Sequence, residues 1–170
     1  HRGTYTSWAR VKEYNRKNEI LAEKAEKAGT LGNWLGVLPN AGSEDISKAW
    51  DKILINQFHD VLPGSSIPYQ YEVTYNNQEL AKNLLNNVQN DGLQAIAYKA
   101  DTNVDGTPVL VFNPLSWERS DMVETTVRFT DAVPEQIAVY DGDTLVPSTV
   151  TARDEEKKTA TIRFQANALP

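Results

Sequence analysis

The feature that most restricts the fold is a change of hydrophobic period near Asp101. Before it, apolar residues recur every three or four positions, the repeat of an amphipathic helix. After it they run continuously or alternate, the repeat of a strand. One segment cannot satisfy both periods, so the chain must divide. The expected fold class is α+β: a three-helix bundle over residues 1–101, then an antiparallel β segment over 102–170 that forms an incomplete β-sandwich.

In the first part, Val11, Tyr14, Asn18, Leu21, Ala25 and Ala28 step by threes and fours between charged residues, which predicts a helix from Thr6 to Ala28 capped by Gly29. Asn18 interrupts the apolar stripe and reads as a specifier of register. A loop follows from Leu31 to Gly42. Ser43, ahead of Glu44 and Asp45, reads as the N-cap of a second helix running to about Phe58, with Ile46, Ala49, Trp50, Ile53, Leu54 and Gln57 on one side. Pro63 and Gly64 end it. Ser65 or Ser66, before Pro68, starts a third helix carried by Val73, Leu80, Leu84 and Val88 toward Ala97, with Gly92 a weak point.

In the second part, the run Val109 to Phe112, the turn Asn113-Pro114 and the alternation Val123, Thr125, Val127, Phe129 predict strands. Two hairpins are expected further on, one turning at Asp141-Gly142 and one at the charged tip Asp154 to Lys158. That tip reads as solvated, because it lacks the alternating oxygen ligands of a calcium loop.

Composition narrows the partners. The 170 residues carry a net charge of −6 and no cysteine, which excludes disulfides, thiolate metal sites and a cysteine nucleophile. Residues 1–100 balance 11 basic against 11 acidic side chains, whereas residues 101–170 hold 6 against 12. With no basic stripe, no nucleic-acid partner is expected. No apolar run reaches the roughly 18 residues of a membrane span, so no membrane partner is expected either. The missing cysteines and the lack of any Asn-x-Ser/Thr acceptor suit the cytoplasm. The first residue, His1, and the final Pro170 read as the ends of a piece cut from a longer protein.

One stretch carries possible chemistry: "NQFHDVLPGSS", Asn56 to Ser66. Projected along a continuing second helix at 100° per residue, His59 falls on the side opposite the apolar cluster. The residues alone leave two readings open. His59 and Asp60 either close a helix end, through the dipole and a turn, or present a donor outward. A catalytic zinc needs three or more protein ligands, and His1 and His59 do not supply them.

The longer run "LINQFHDVLPGSS" resembles the central region of glycoside hydrolase family 38 α-mannosidases. "HRGTYTSWARVKEYNRKNEILAEKAE" is similar to that family's entry into its middle helical domain, and "VLVFNPLSWERSDMV" to the start of its β-rich C-terminal region. The resemblance implies a fragment of a zinc-dependent retaining enzyme that removes terminal α-linked mannose from glycans. His59 then matches the zinc ligand given from the helical side, and Asp60 the aspartate that bonds sugar hydroxyls. The other ligands and both catalytic carboxylates are expected on an N-terminal barrel domain, so no residue of this chain is assigned a catalytic role, and tight zinc binding by the chain alone is not expected. "FHDVLPGSS" is closer to the bacterial and cytosolic branch. A noncatalytic carbohydrate-binding or interaction module is the alternative. Arg2 and Tyr5 read as anchors near the barrel junction. Trp34, Trp50 and Trp117 read as packing residues, with Trp34 the better sugar platform.

Overall fold

The computed structural model describes residues 2–169, so the terminal His1 lies outside the described residues. It divides into two compact units, His1–Ala100 and Asp101–Pro170. The first holds three helices, α1 (Ala9–Trp34), α2 (Ser43–Ile55) and α3 (Pro68–Lys99), with a short 3-10 turn at Pro39–Gly42.

Residue pairs across the bundle rise together from Trp8–Tyr71 to Gly32–Ala95, so α1 and α3 run parallel. Gln57 meets Asn15 and Trp50 meets Glu26, which sets α2 antiparallel to α1. The start of α1, the end of α2 and the start of α3 therefore share one end of the bundle.

The seam between α1 and α3 is built of small residues. Ala22, Ala25, Ala28, Gly29 and Gly32 on α1 and Ala81, Gly92 and Ala95 on α3 are buried, beside Leu85 and Val88. A Cβ on Gly92 would lie 2.4 Å from the carbonyl carbon and oxygen of Ala28, so the two backbones are nearly in contact. Gly29 accordingly does not cap the helix. It lies within α1, where a Cβ would sit 2.3 Å from the carbonyl oxygen of Ala41, and the helix continues to Trp34. Gly92 is likewise no weak point.

The expected stripe of α3 holds in part. Val88 is buried and Leu84 packs against the core, whereas Val73 and Leu80 are exposed and Tyr71, Thr74, Gln78, Ala81 and Leu85 fill the interior. Around Gly92 close backbone approach leaves room only for small side chains, whereas toward the start of the helix the large Tyr71 is fully buried. Asn18 does join the helices: its Nδ2 donates to the Gln78 carbonyl at 2.9 Å and to Gln78 Oε1 at 2.7 Å. Tyr14 donates its hydroxyl proton to Glu79, on which Lys82 also sits at 3.3 Å.

Helix ends differ from expectation in detail. The N-cap of α2 is Gly42 in a left-handed conformation, with Ser43 the first helical residue, and α2 stops at Ile55. Ile67 precedes α3 in place of a serine cap, and Pro68 occupies the first turn as expected. Glu44 and Asp45 stand in the first turn of α2, where the dipole favours them. The loop expected from Leu31 begins only after Trp34, and Trp34 itself is exposed.

The second unit contains β1 (Arg119–Arg128), β2 (Val139–Asp141), β3 (Thr144–Val146), β4 (Ser148–Asp154) and β5 (Thr159–Leu169). They form an antiparallel sheet in the order β1-β5-β4 and a two-stranded ribbon of β2 and β3. Val127, Ile162, Phe164 and Ala166 make its core, with Val139 and Val146 of the ribbon packed against them. Both expected hairpins form, at Asp141–Thr144 and Asp154–Thr159. Asp154 caps its tip by accepting from the Lys157 amide at 2.9 Å. The run Val109 to Phe112 is not a strand: it has no ladder partner among the described residues, and only Val111 joins the apolar cluster. Trp117 is exposed and does not pack between layers.

Two outcomes follow from this packing. Gly→Ala in a helix ordinarily stabilises by about 0.5–1 kcal/mol. Gly92→Ala is expected to reverse that sign and cost about 2 kcal/mol or more, because the added carbon meets backbone that cannot yield. Denaturant unfolding followed by helical circular dichroism checks it.

The Glu79 carboxyl is held below its ordinary value of 4.5 by the Tyr14 hydrogen bond first and Lys82 second. A depressed folded-state pKa gives stability that is present above the unfolded value and lost as pH falls through the folded one. Glu79→Gln should therefore be less stable than the native chain at neutral pH, with the gap closing on acidification below about 4.5. Parallel urea titrations at neutral and acid pH measure that gap.

Candidate functional site

At the shared end of the bundle the chain leaves α2 and turns back into α3. Asn56 ends the helix from a buried position, its Nδ2 donating to the Lys52 carbonyl at 2.6 Å and so satisfying one of the orphan acceptors of the last turn. The Phe58 carbonyl then accepts from the Val61 amide at 2.9 Å and from the Leu62 amide at 3.1 Å. This closes a tight turn with His59 and Asp60 at its tip.

His59 is exposed, as the helical projection expects, but for a different reason. The projection places it on the outer face of a continuing helix, whereas α2 has ended four residues earlier and the turn itself carries the ring outward. The His59 side chain is 76% exposed and that of Asp60 59%. His59 Nε2 lies 3.3 Å from Asp60 Oδ2, and the Phe58 ring packs 4.2 Å from the imidazole. A contact this open contributes little, so either side chain can exchange it for another partner at small cost.

The turn is held from both sides. Gln57 Nε2 donates to Asn15 Oδ1 at 3.1 Å and to Glu19 Oε1 at 2.9 Å, and Asn15 Nδ2 donates to the same Glu19 oxygen at 3.0 Å. Beyond the tip, Val61 is buried, and the buried Tyr71 hydroxyl accepts from the Ser66 amide at 2.9 Å. Trp8, in a left-handed conformation just before α1, stacks on Tyr71 with centroids 4.1 Å apart. Ser7 Oγ donates to the Gly64 carbonyl at 3.2 Å. Lys12 Nζ donates to the Ser7 carbonyl, and burial pulls the Lys12 ammonium below its usual range.

Sequence patterning places Gln57 on the core side of a helix; it lies instead just past the helix end, half-buried in this polar cluster. Asn15, Glu19, Ser7 and Tyr71 carry no motif that marks them. The signal available is Asn15 falling beside Asn18, two amides one turn apart near the interior of the same helix. Arg2 and Tyr5 are exposed, and Trp50 donates its indole proton to Glu26 at 2.9 Å.

Around the turn, Leu54, Ile55, Phe58, Ile67 and Tyr69 are exposed apolar or aromatic residues. Among the described residues no group of three or more His, Cys, Asp or Glu converges as a metal site. His59 accordingly stands outside any converging set of such side chains among the described residues.

Residues 1–96 match the family model described as the alpha mannosidase middle domain, over half of the chain. The chain belongs to the glycoside hydrolase family 38 α-mannosidases. The middle-domain match ends three residues before the end of α3 and contains the whole His59 turn. Alpha-mannosidase G of Dictyostelium discoideum is 43% identical over 72 residues, covering 42% of this chain and 6% of that protein. The alpha-mannosidase of Saccharomyces cerevisiae is 42% identical over 77 residues, and alpha-mannosidase 2C1 of Mus musculus 28% identical over 127, 72% of this chain. In structure, the chain superimposes on a glycosyl hydrolase family 38 protein of Enterococcus faecalis with a TM-score of 0.76 at 15% identity. That match covers 98% of this chain and 23% of the other. An alpha-mannosidase from Enterococcus faecalis V583 gives a TM-score of 0.70 at 17% identity. The chain spans 6 to 12% of the length of these sequence relatives and under a quarter of either solved structure.

One substitution tests the local architecture of the His59 turn. Gly64 has φ +93°, and a Cβ there would lie 2.7 Å from Ser7 Oγ and 2.8 Å from the Ser7 carbonyl oxygen. Gly64→Ala is expected to cost about 2 kcal/mol, from left-handed strain together with that clash. Amide hydrogen exchange should accelerate at Val61, Leu62 and Gly64 before it changes in mid-α1.

Proposed function

We propose that this chain is part of a zinc-dependent retaining α-mannosidase acting on terminal α-linked mannose of glycans, and that it lends one zinc ligand, His59, and one sugar-binding carboxylate, Asp60, to a site completed by an N-terminal barrel domain. Support comes from a histidine-aspartate tip, exposed yet held by a fixed backbone, in a chain of the α-mannosidase family. A structural histidine closing a helix end would be expected to bond a terminal carbonyl. His59 makes no such bond: the carbonyl left open at the end of α2 is taken by Asn56.

The residues divide the work by chemistry. A neutral imidazole offers one lone pair to a metal, and the closed backbone of the turn sets where the side chain projects. Asp60, an acceptor with two oxygens, suits a pair of vicinal hydroxyls. Zinc, when bound, would serve as template and Lewis acid toward the sugar oxygens. Retaining glycosidases also need two carboxyl groups about 5–5.5 Å apart at the anomeric carbon. Those are assigned outside this chain. Leu54, Ile55, Phe58, Ile67 and Tyr69, close to the turn in sequence, are exposed, and a domain covering this end would take such side chains out of water.

Two substitutions in the full-length protein separate the roles. His59→Ala should remove zinc and turnover of an α-linked aryl mannoside together, by more than about 100-fold, beyond the range typical of residues that only support a metal ligand. The unfolding midpoint of the helical unit should stay near native, because the side chain is exposed. Asp60→Asn should keep zinc and lose turnover. Zinc analysis and initial rates on the same preparations decide it: a His59→Ala protein that keeps both contradicts the assignment.

A further inference from the structure

The His59 side chain has Asp60 as its polar partner and the Phe58 ring as its packing partner, and both belong to the same turn. The point from which the ring projects is therefore set by the backbone around it, while the ring itself stays open to another partner. The turn is already closed by its own amides, Val61 and Leu62 onto Phe58. Closure alone gives a shape and leaves the turn free to pivot about the end of α2.

What ties it to the rest of the bundle on the near side is Gln57, two residues before His59. Its Nε2 carries two protons, and both are used: one toward Asn15 Oδ1 at 3.1 Å, the other toward Glu19 Oε1 at 2.9 Å. The third edge of the triangle is Asn15 Nδ2 to Glu19 Oε1 at 3.0 Å. Arg16 holds the other Glu19 oxygen at 3.3 Å, so the carboxylate is gripped through both of its atoms. Two residues after His59, the turn is fixed by buried Val61 and by Tyr71, which takes the Ser66 amide and approaches the Val61 carbonyl at 3.5 Å.

These bonds lie past the end of α2, so they add nothing to its ladder. They cross from the turn to a helix 38 and 42 residues earlier in the chain. A carboxylate acceptor makes a stronger and shorter bond than a neutral one, and a planar amide held at two points cannot rotate. This is the arrangement expected of a group that transmits position.

We propose that Gln57, clamped by Glu19 and Asn15, is a positioning residue that fixes His59 relative to α1, so that the imidazole reaches the metal in one geometry. The proposal rests on the reading of His59 as a zinc donor. Misplacing a ligand weakens the metal and the turnover that depends on it without removing either, which separates a positioning residue from a ligand.

The test uses the full-length enzyme, with zinc release to a chelator and kcat on an α-linked aryl mannoside read on the same samples. Gln57→Met keeps the length of the side chain and removes its donors. It should speed zinc release and lower kcat by about tenfold each, with helical circular dichroism unchanged. Glu19→Leu should behave alike, and the double variant should be no worse than either single one, because both break the same clamp. Glu19→Gln retains a carbonyl acceptor and should restore both readouts to within about twofold of native. Glu19→Leu stands in should Gln57→Met fail to fold.

If His59→Ala loses zinc and turnover while Gln57→Met and Glu19→Leu stay within twofold of native in both, the positioning role is overturned and the donor reading stands. A loss of zinc matched by an equal loss of helical signal in both Gln57→Met and Glu19→Leu also overturns it. If His59→Ala itself keeps zinc and turnover, both inferences fall together.

Discussion

Everything in the helical unit depends on how closely α1 and α3 approach. Where a Cβ on Gly92 would overlap the Ala28 carbonyl, the helices leave room only for alanine and glycine, and the seam is accordingly Ala22, Ala25, Ala28, Gly29 and Gly32 against Ala81, Gly92 and Ala95. Small residues bury little apolar area each, so the seam gains through dispersion between closely packed backbones more than through hydrophobic transfer. The larger apolar groups, Ile53, Leu85, Val88, Leu21, Ile46 and Trp50, fill the space beside it where α2 packs.

A close seam of small residues fits in more than one register, because one alanine resembles the next. The buried amides remove that freedom. Asn18 reaches both the backbone and the side chain of Gln78, a pairing that a slip by one turn would break. Specificity here has a cost: Gln78 Nε2 is buried without a partner, and an unsatisfied buried donor costs about 1–3 kcal/mol. A polar interior group that fixes register at the expense of stability is a known use of such residues. Because α1 and α3 are parallel and locked in register, the positions of Asn15, Glu19 and Tyr71 at one end follow, and with them the framework around the His59 turn. The site is thus referred back to the seam through two helices, although neither His59 nor Asp60 touches it.

The division of the chain, the order of three helices, Pro68 in the first turn of α3, the acidic first turn of α2 and both later hairpins were legible from period and turn chemistry. The phase of α3 and the continuation of α1 through Gly29 were not. Hydrophobic patterning assumes that the largest apolar residues face inward, and it fails where backbone proximity leaves room only for a glycine, as at Gly92 against Ala28. The run Val109 to Phe112 fails in another way: a strand exists only when a second strand supplies its hydrogen bonds, and none of the described residues does.

By itself, the sequence determined the change from helices to strands, the order of the three helices, both later hairpins and the outward side of His59, because periodicity and turn residues are local properties that a chain states directly. Only the tertiary structure decided that the pair rides on a closed turn after α2 and not on the helix itself, and that Gln57 is gripped by residues from a helix some forty positions earlier. The physical reason is that a hydrogen bond between distant residues leaves no periodic trace in either segment. It appears only when packing of the intervening helices has brought donor and acceptor within reach.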